Sequence, residues 1–262
     1  LVRYLYTTEA IILKYSNIIY NSVVQGKKIA IIGGSGLEGR ALATEFASAG
    51  YQVYIGSRNL FRAQETASKI VKARNLDSNR VVGATNAEAA KAAEMVFLTI
   101  PYDALKDTLD QLAAELTAKH VVDVIVPHKL RSPMLLNTRQ LERYRSHFGP
   151  GKSPSVTEEI YLYLNDATGS RPHITATLKT ISYKMLSLGK NMSEPILSWG
   201  YNSEDIQTLF NVLRDVFPNA EFIEVPQMYW RSVEGVCELI RFLTLQGVKI
   251  EALSFSYSRN KQ

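Results

Sequence analysis

From residue 28 to residue 126 the chain alternates short apolar runs with stretches whose apolar residues recur every three or four positions. Ile29–Ile32, Gln52–Ile55, Arg80–Gly83, Met95–Ile100 and His120–Val126 read as strands. Leu37–Ala49, Leu60–Ala73, a segment capped by Asn86 and running to Ala93, and Tyr102–Thr117 read as helices. Near-continuous apolar strands separated by helices predict a parallel sheet covered on both faces. Pro101 and Pro127 stop the fourth and fifth strands and leave backbone free beyond them.

The pattern breaks from Lys129 to Arg171, where Pro133, Pro150, Gly151, Pro154 and Pro172 punctuate the chain. Within this stretch Leu135–Phe148 keeps a helical pattern and carries Arg139, Arg143 and Arg145. Order then returns. Strands are expected at Ile174–Leu178, Ile196–Tyr201 and Glu221–Val225, and a helix at Glu204–Val216. Met228–Leu245 is amphipathic, with Val233, Val236, Cys237, Ile240 and Leu243 on one face and Gly247 as its stop.

The first connection carries the chemistry. Gly34-x-Gly36-x-x-Gly39 follows one apolar strand, opens a helix and precedes a second strand. Gly34 suits a tight turn, Gly36 lets a pyrophosphate approach the backbone, and Gly39 lets the helix lie close to the strand. The helix N-terminus adds free N–H groups and a partial positive charge. This context predicts a dinucleotide site. The second strand ends in Gly56-Ser57-Arg58-Asn59, with Arg62 one helical turn on. An NAD site commonly places an acid there. A hydroxyl and two guanidiniums suit the 2′-phosphate of NADP(H) instead, because arginine pairs with phosphate through charge-assisted bonds. In such sheets the ligand lies beyond the carboxyl ends of the strands. Those ends are Gly33–Gly36, Ser57–Arg58, Thr99–Tyr102 and Val126–His128.

The fold class follows: α/β, a Rossmann-type doubly wound parallel sheet with a small C-terminal α+β domain. The expected division is an N-terminal extension (1–26), a Rossmann NADP-binding domain (27–172) with a basic insert at about 128–172, and a small C-terminal part (173–262), although the length also fits one large domain. The extension has Ile11, Tyr15, Ile18, Ile19 and Val23 at helical spacing, but Arg3, Glu9 and Lys14 interrupt it too often for a signal-peptide core.

Composition narrows the function classes. Of 262 residues, 46% are hydrophobic and 21% charged, ordinary for a globular chain able to bury a large core. One cysteine, Cys237, excludes an internal disulfide and suits a reducing compartment. No C-x-x-C pair or histidine cluster indicates a metal. The net charge of +5 is modest, no recognition motif accompanies the arginines, and no apolar run is long enough to span a bilayer. Small-molecule cofactors, no nucleic acid, no membrane and a cytoplasmic location are expected.

Gly33-Gly-Ser-Gly-Leu-Glu-Gly39, Ile55-Gly-Ser-Arg58 and Leu98-Thr-Ile-Pro101, in that order and spacing, resemble the NADPH-dependent reductases of coenzyme F420. The resemblance covers 28–126 and resumes more weakly over 174–256. It implies hydride transfer between the nicotinamide of NADPH and the deazaflavin of F420, with both rings stacked between the Rossmann domain and a small C-terminal substrate and dimerisation domain (173–262) in a homodimer. It places Ser35 and Leu37 on the pyrophosphate loop and Ser57, Arg58 and Arg62 on the 2′-phosphate. Thr99, Ile100 and Pro101 fall on the nicotinamide half, and Val126 and Pro127 near the deazaflavin. Two departures lie on the acceptor side. The segment 128–171 is long and poorly matched, and Lys179 stands where the family tends to have His or Asn. Lys179, steadying negative charge on the reduced acceptor, and His128, touching it, are the candidate catalytic residues. Hydride transfer itself needs few side chains, only closeness of the two carbons and exclusion of water. An NADPH-dependent flavin, imine or ketone reductase and a non-catalytic NADP(H)-binding redox sensor remain open alternatives.

Overall fold

The computed structural model describes residues 28–127, 135–150 and 152–247. In chain order the elements are β1 (Lys28–Ile32), α1 (Leu37–Ser48), β2 (Gln52–Ser57), α2 (Leu60–Arg74), β3 (Val81–Thr85), α3 (Asn86–Ala92), β4 (Met95–Leu98), α4 (Leu105–Leu116) and β5 (His120–Asp123). They continue with α5 (Thr138–Phe148), α6 (Val156–Thr168), β6 (His173–Thr177), α7 (Tyr183–Leu186), β7 (Ile196–Gly200), α8 (Ser203–Val216), β8 (Phe222–Glu224) and α9 (Trp230–Leu245). The expected extension at 1–26 lies outside the described residues.

All eight strands form one sheet in the order β3-β2-β1-β4-β5-β6-β7-β8. The strands from β1 to β6 run parallel. β7 pairs antiparallel with β6, and β8 parallel with β7. The strands expected in the C-terminal part therefore extend the edge of the same sheet. The chain leaves β1 toward β2 and β3, then crosses back to β4, so the switch point lies between β1 and β4. A crevice opens there at the carboxyl ends of the strands.

Alternation along the strands feeds two cores. Ile29, Ile31, Val53, Ile55 and Phe97 face α1 and α8, where Leu42, Phe46, Leu209 and Leu213 are buried. Ala30, Ile32, Val96 and Leu98 face α3, α4 and α6, meeting Ala89, Leu105, Leu109 and Ile160. The sheet is thus buried on both sides, which is why its strands read as unbroken apolar runs.

Two local features differ from the sequence pattern. β4 and β5 stop at Leu98 and Asp123, short of Ile100 and Val126, and the released residues run along the crevice. The proline-punctuated stretch contains a full helix, α6. Ser155 accepts a hydrogen bond from Glu158 N while the Glu158 carboxylate returns to the Ser155 N–H, and Gly169 ends the helix in the left-handed region at φ 66.

Candidate dinucleotide-binding and active site

The loop after β1 is built by close contacts. Gly33, rather than Gly34, has the left-handed backbone, at φ +84, and a Cβ there would lie 2.8 Å from Ile100 Cγ2. Gly34 is required by packing, since its Cβ would stand 2.8 Å from Ile31 O. A Cβ on Gly39 would meet Gly34 Cα and Thr99 Oγ1, each at 2.7 Å, so α1 presses directly on the loop. Thr99 Oγ1 in turn donates to Ile32 O at 2.9 Å, tying the end of β4 to β1. Gly36 is different: a Cβ would meet only Gly33 O, at 3.3 Å, and its remaining face opens to the crevice. Gly36 is also the N-cap of α1, and no side chain caps that helix. Its first N–H groups are left for an external acceptor, as a diphosphate site requires.

A cavity of about 430 Å³ runs across the switch point. The structure brings Ser35, Gly36 and Leu37 to it from the loop, Ser57, Arg58 and Arg62 from the end of β2 and the start of α2, Thr99, Ile100 and Pro101 from the end of β4, and Val126 from beyond β5. Gly34 and Gly39 shape the loop from behind. Pro127 is buried next to Val126 and is not on the wall. His128 lies outside the described residues.

At the β2 end, Asn59 caps α2 through its side chain, which accepts from Arg62 N, and Ser57 Oγ accepts from Asn59 N at 3.2 Å. These bonds fix the turn and leave both guanidiniums at its exposed rim. Asn86, the first residue of α3, also lines the cavity, and its Oδ1 is buried without a hydrogen-bond partner. An orphaned acceptor there suits a ligand that brings a donor, such as the adenosine end of a dinucleotide.

Of the wall residues that the motifs do not mark, two are ionisable, Glu38 and Arg241. Arg241 belongs to α9, some 200 residues beyond the motif, and only the fold brings it here. Glu38 is one of the motif's variable positions. As a whole residue Glu38 is half-buried, but its carboxyl is packed round by protein. Burial pushes it up to about 7, against the pull of the Arg241 and Lys179 charges.

Lys179 does not line the cavity. Its side chain is fully buried, with Nζ donating to Asp123 Oδ2 at 2.7 Å and to Glu234 Oε1 at 2.6 Å, and lying 5.4 Å from the centre of the Trp199 ring. Burial works against its charge, but the two carboxylates outweigh burial and raise its pKa. The position expected to touch the acceptor is an interior cation, because the turn after β6 directs it into the gap between β5 and α9.

Residues 28–127 match the family described as NADP oxidoreductase, coenzyme F420-dependent. Curated relatives match over stretches of similar length. The F420-dependent NADP reductase of Methanothermobacter thermautotrophicus is 43% identical over 100 residues, which are 38% of this chain and 43% of that protein. The F420-dependent NADP reductase of Methanocaldococcus jannaschii is 40% identical over 103 residues, 38% of this chain and 45% of its own length. The matched region thus spans less than half of these relatives. Among solved structures, a candidate F420-dependent NADP reductase from Arthrobacter sp. FB24 superposes with a TM-score of 0.61 at 19% identity, covering 88% of this chain and 99% of that one. An imine reductase from Myxococcus stipitatus gives 0.51 at 16% identity, over 84% of this chain and 62% of the other. At these identities the structures share the fold. Among the described residues no helix is long and apolar enough to cross a membrane.

Proposed function

We propose that the protein transfers hydride between NADP(H) and coenzyme F420. The observation that carries the reading is the wall formed by Ser57, Arg58 and Arg62 across the cavity from the uncapped end of α1. The reading is supported by the family match over 28–127 and by 43% identity over 100 residues to an F420-dependent NADP reductase. NADPH, when bound, supplies a hydride from its nicotinamide ring. The chain's part is to hold the diphosphate on the α1 N–H groups and the 2′-phosphate on the two guanidiniums. Ile100 and Pro101 back the nicotinamide, and Val126, supported by Pro127, bounds the acceptor side. These apolar groups keep water from the transfer path.

On this reading Lys179 acts at one remove, as a buried positive charge behind the acceptor wall, and His128 remains the candidate for direct contact. A homodimer belongs to the same reading. α9 leaves Val236, Leu239 and Phe242 exposed, next to exposed Met228 and Tyr229, an apolar strip of the kind that subunits cover. A cytoplasmic site of action, where NADPH is held reduced, goes with it.

The test is direct: mix purified protein with F420 and NADPH and follow the visible absorbance of F420. Bleaching dependent on both protein and NADPH is expected. NADPH binding without F420 reduction, but with turnover of a flavin or an imine, would move the reading to those acceptors. Tight NADPH binding with no acceptor at all would make the protein a sensor.

A further inference from the structure

We propose that the dinucleotide enters this cleft together with a proton, which Glu38 takes up, and that Arg241, on the same wall, becomes a third arginine on the ligand's phosphates. The inference rests on the NADP(H) reading of the cavity and adds to it a coupling and two residues.

Glu38 is the second residue of α1, on the cavity wall beside the diphosphate loop. Among the described residues that line the cavity it is the one carboxyl; the other ionisable groups there are Arg58, Arg62 and Arg241. Two cations act on it across the protein. Arg241 comes from α9 and Lys179 from the turn after β6. Behind Lys179, Asp123 on β5 and Glu234 on α9 take up its charge. Glu238, also on α9, is buried with both carboxyl oxygens lacking a hydrogen-bond partner, 4.0 Å from Arg231. Arg58 and Arg62 line the cavity as well, from the turn after β2.

A carboxylate at this position and a diphosphate need the same things: the free N–H groups of α1 and the charge of Arg241. Two anions cannot share them at contact distance in a half-enclosed cleft without a large Coulomb cost. Burial already places Glu38 at about 7, so the carboxyl is near its midpoint at neutral pH. A diphosphate beside it raises it further and completes the protonation. The neutral acid then stays as a hydrogen-bond donor, and the charge of Arg241 on the wall is left to the ligand. The 2′-phosphate does not confuse the accounting at pH 8, because its second ionisation, near pH ~6, is complete there.

The experiment is calorimetric titration of the full chain with NADP⁺ at pH 8, in two buffers of different ionisation enthalpy, together with the affinity from pH 6 to 8.5. The wild type should take up close to ~1 proton per ligand at pH 8, and its Kd should rise by up to ~10-fold per pH unit above 7. Glu38→Gln, of the same shape, should take up none, lose that pH dependence and bind more tightly than the wild type at pH 8. Arg241→Ala should bind NADP⁺ at least ~10-fold more weakly at pH 6, where Glu38 is neutral in either protein. Equal proton uptake by the wild type and Glu38→Gln would overturn the role of Glu38. Unchanged affinity in Arg241→Ala would overturn that of Arg241. If neither the wild type nor Glu38→Gln binds NADP⁺ at any pH, the cofactor reading falls and this inference with it. Binding without a Glu38-dependent proton sinks the inference alone.

Discussion

Lys179 Nζ stands 2.7 Å from Asp123 Oδ2, inside the protein, where both side chains are cut off from solvent. The bond joins the turn after β6 to the last residue of β5, and Glu234 of α9 closes the group at 2.6 Å from the same nitrogen. Further bonds hold the carboxylates. Thr157 Oγ1 donates to Asp123 Oδ2 at 2.8 Å, and Trp199 Nε1 donates to Thr157 Oγ1 at 3.0 Å. Val156 N donates to Glu234 Oε2 at 2.8 Å. Burial pushes the Glu234 carboxyl up, and Lys179 pulls it back toward the charged form. The cluster therefore clamps α6, α9 and the sheet behind the cleft.

Removing the cation from that clamp leaves two buried carboxylates facing each other. Lys179→Met should cost about 3–5 kcal/mol of stability, as breaking a buried ion pair typically does. Because the Lys179 pKa is raised, its contribution holds below its ordinary value of 10.5 and is lost only at higher pH. Denaturant unfolding at pH 7 checks this. A variant with wild-type stability but no F420 reduction would restore Lys179 to the reaction itself.

Arg58 is the sharpest test of cofactor choice. Arg58→Ala should weaken NADPH by about 1.5–3 kcal/mol, the value of a hydrogen bond to a charged group, and leave NADH almost unchanged. Binding titrations with both nucleotides decide it. Equal losses would remove the 2′-phosphate from this end of the cavity.

Two glycines of the motif should fail in different ways. Gly36→Val should fold normally, since a Cβ there meets only Gly33 O at 3.3 Å and the backbone is extended at ψ 175, yet it should lose dinucleotide binding. Gly39→Ala should cost about 1–3 kcal/mol of stability, because its methyl would lie 2.7 Å from backbone at Gly34 Cα. Thermal melts with and without NADPH separate the two outcomes.

Glu38 also bears on the stability of the protein alone. Its carboxyl sits at about 7 in the fold against an ordinary 4.5. The folded state thus holds a proton that the unfolded chain gives up, and stability falls as pH rises through that window. Glu38→Gln removes the effect. Allowing for its partial exposure, the variant should gain about 1–2 kcal/mol at pH 8, or roughly 2–8 °C in Tm, and nothing at pH 4. A constant difference across this range would contradict the assignment.

The exposed strip on α9 is the proposed face of a homodimer. Leu239 and Phe242 are 55% and 57% exposed. Changing both to Glu should convert a homodimer to a monomer in light scattering, without loss of fold. A wild type that is monomeric at micromolar concentration would leave the strip without a second copy.

Residues close in sequence carried much of this molecule openly. The strand–glycine–helix succession at 28–49 and the Ser57–Arg62 turn are local, and their steric and charge requirements act over one or two turns of chain. The capping box at Ser155 and Glu158 is equally local, but the surrounding prolines break the pattern that would announce α6. Gly33 and Gly34 exchanged roles because the left-handed residue depends on how Ile100 and Thr99 pack over the loop.

By itself the sequence determined the doubly wound half of the sheet, the place of the glycine loop and the absence of an acid at the end of β2. In each case the requirement is imposed on neighbours by backbone geometry or by local charge. Tertiary structure alone decided that β6–β8 join the same sheet, that Lys179 lies inside with Asp123 and Glu234, and that Arg241 reaches the cavity wall beside Glu38. Those pairings link residues 56, 55 and about 200 positions apart. Burial and charge neutralisation between such distant segments arise only once the sheet has brought them together.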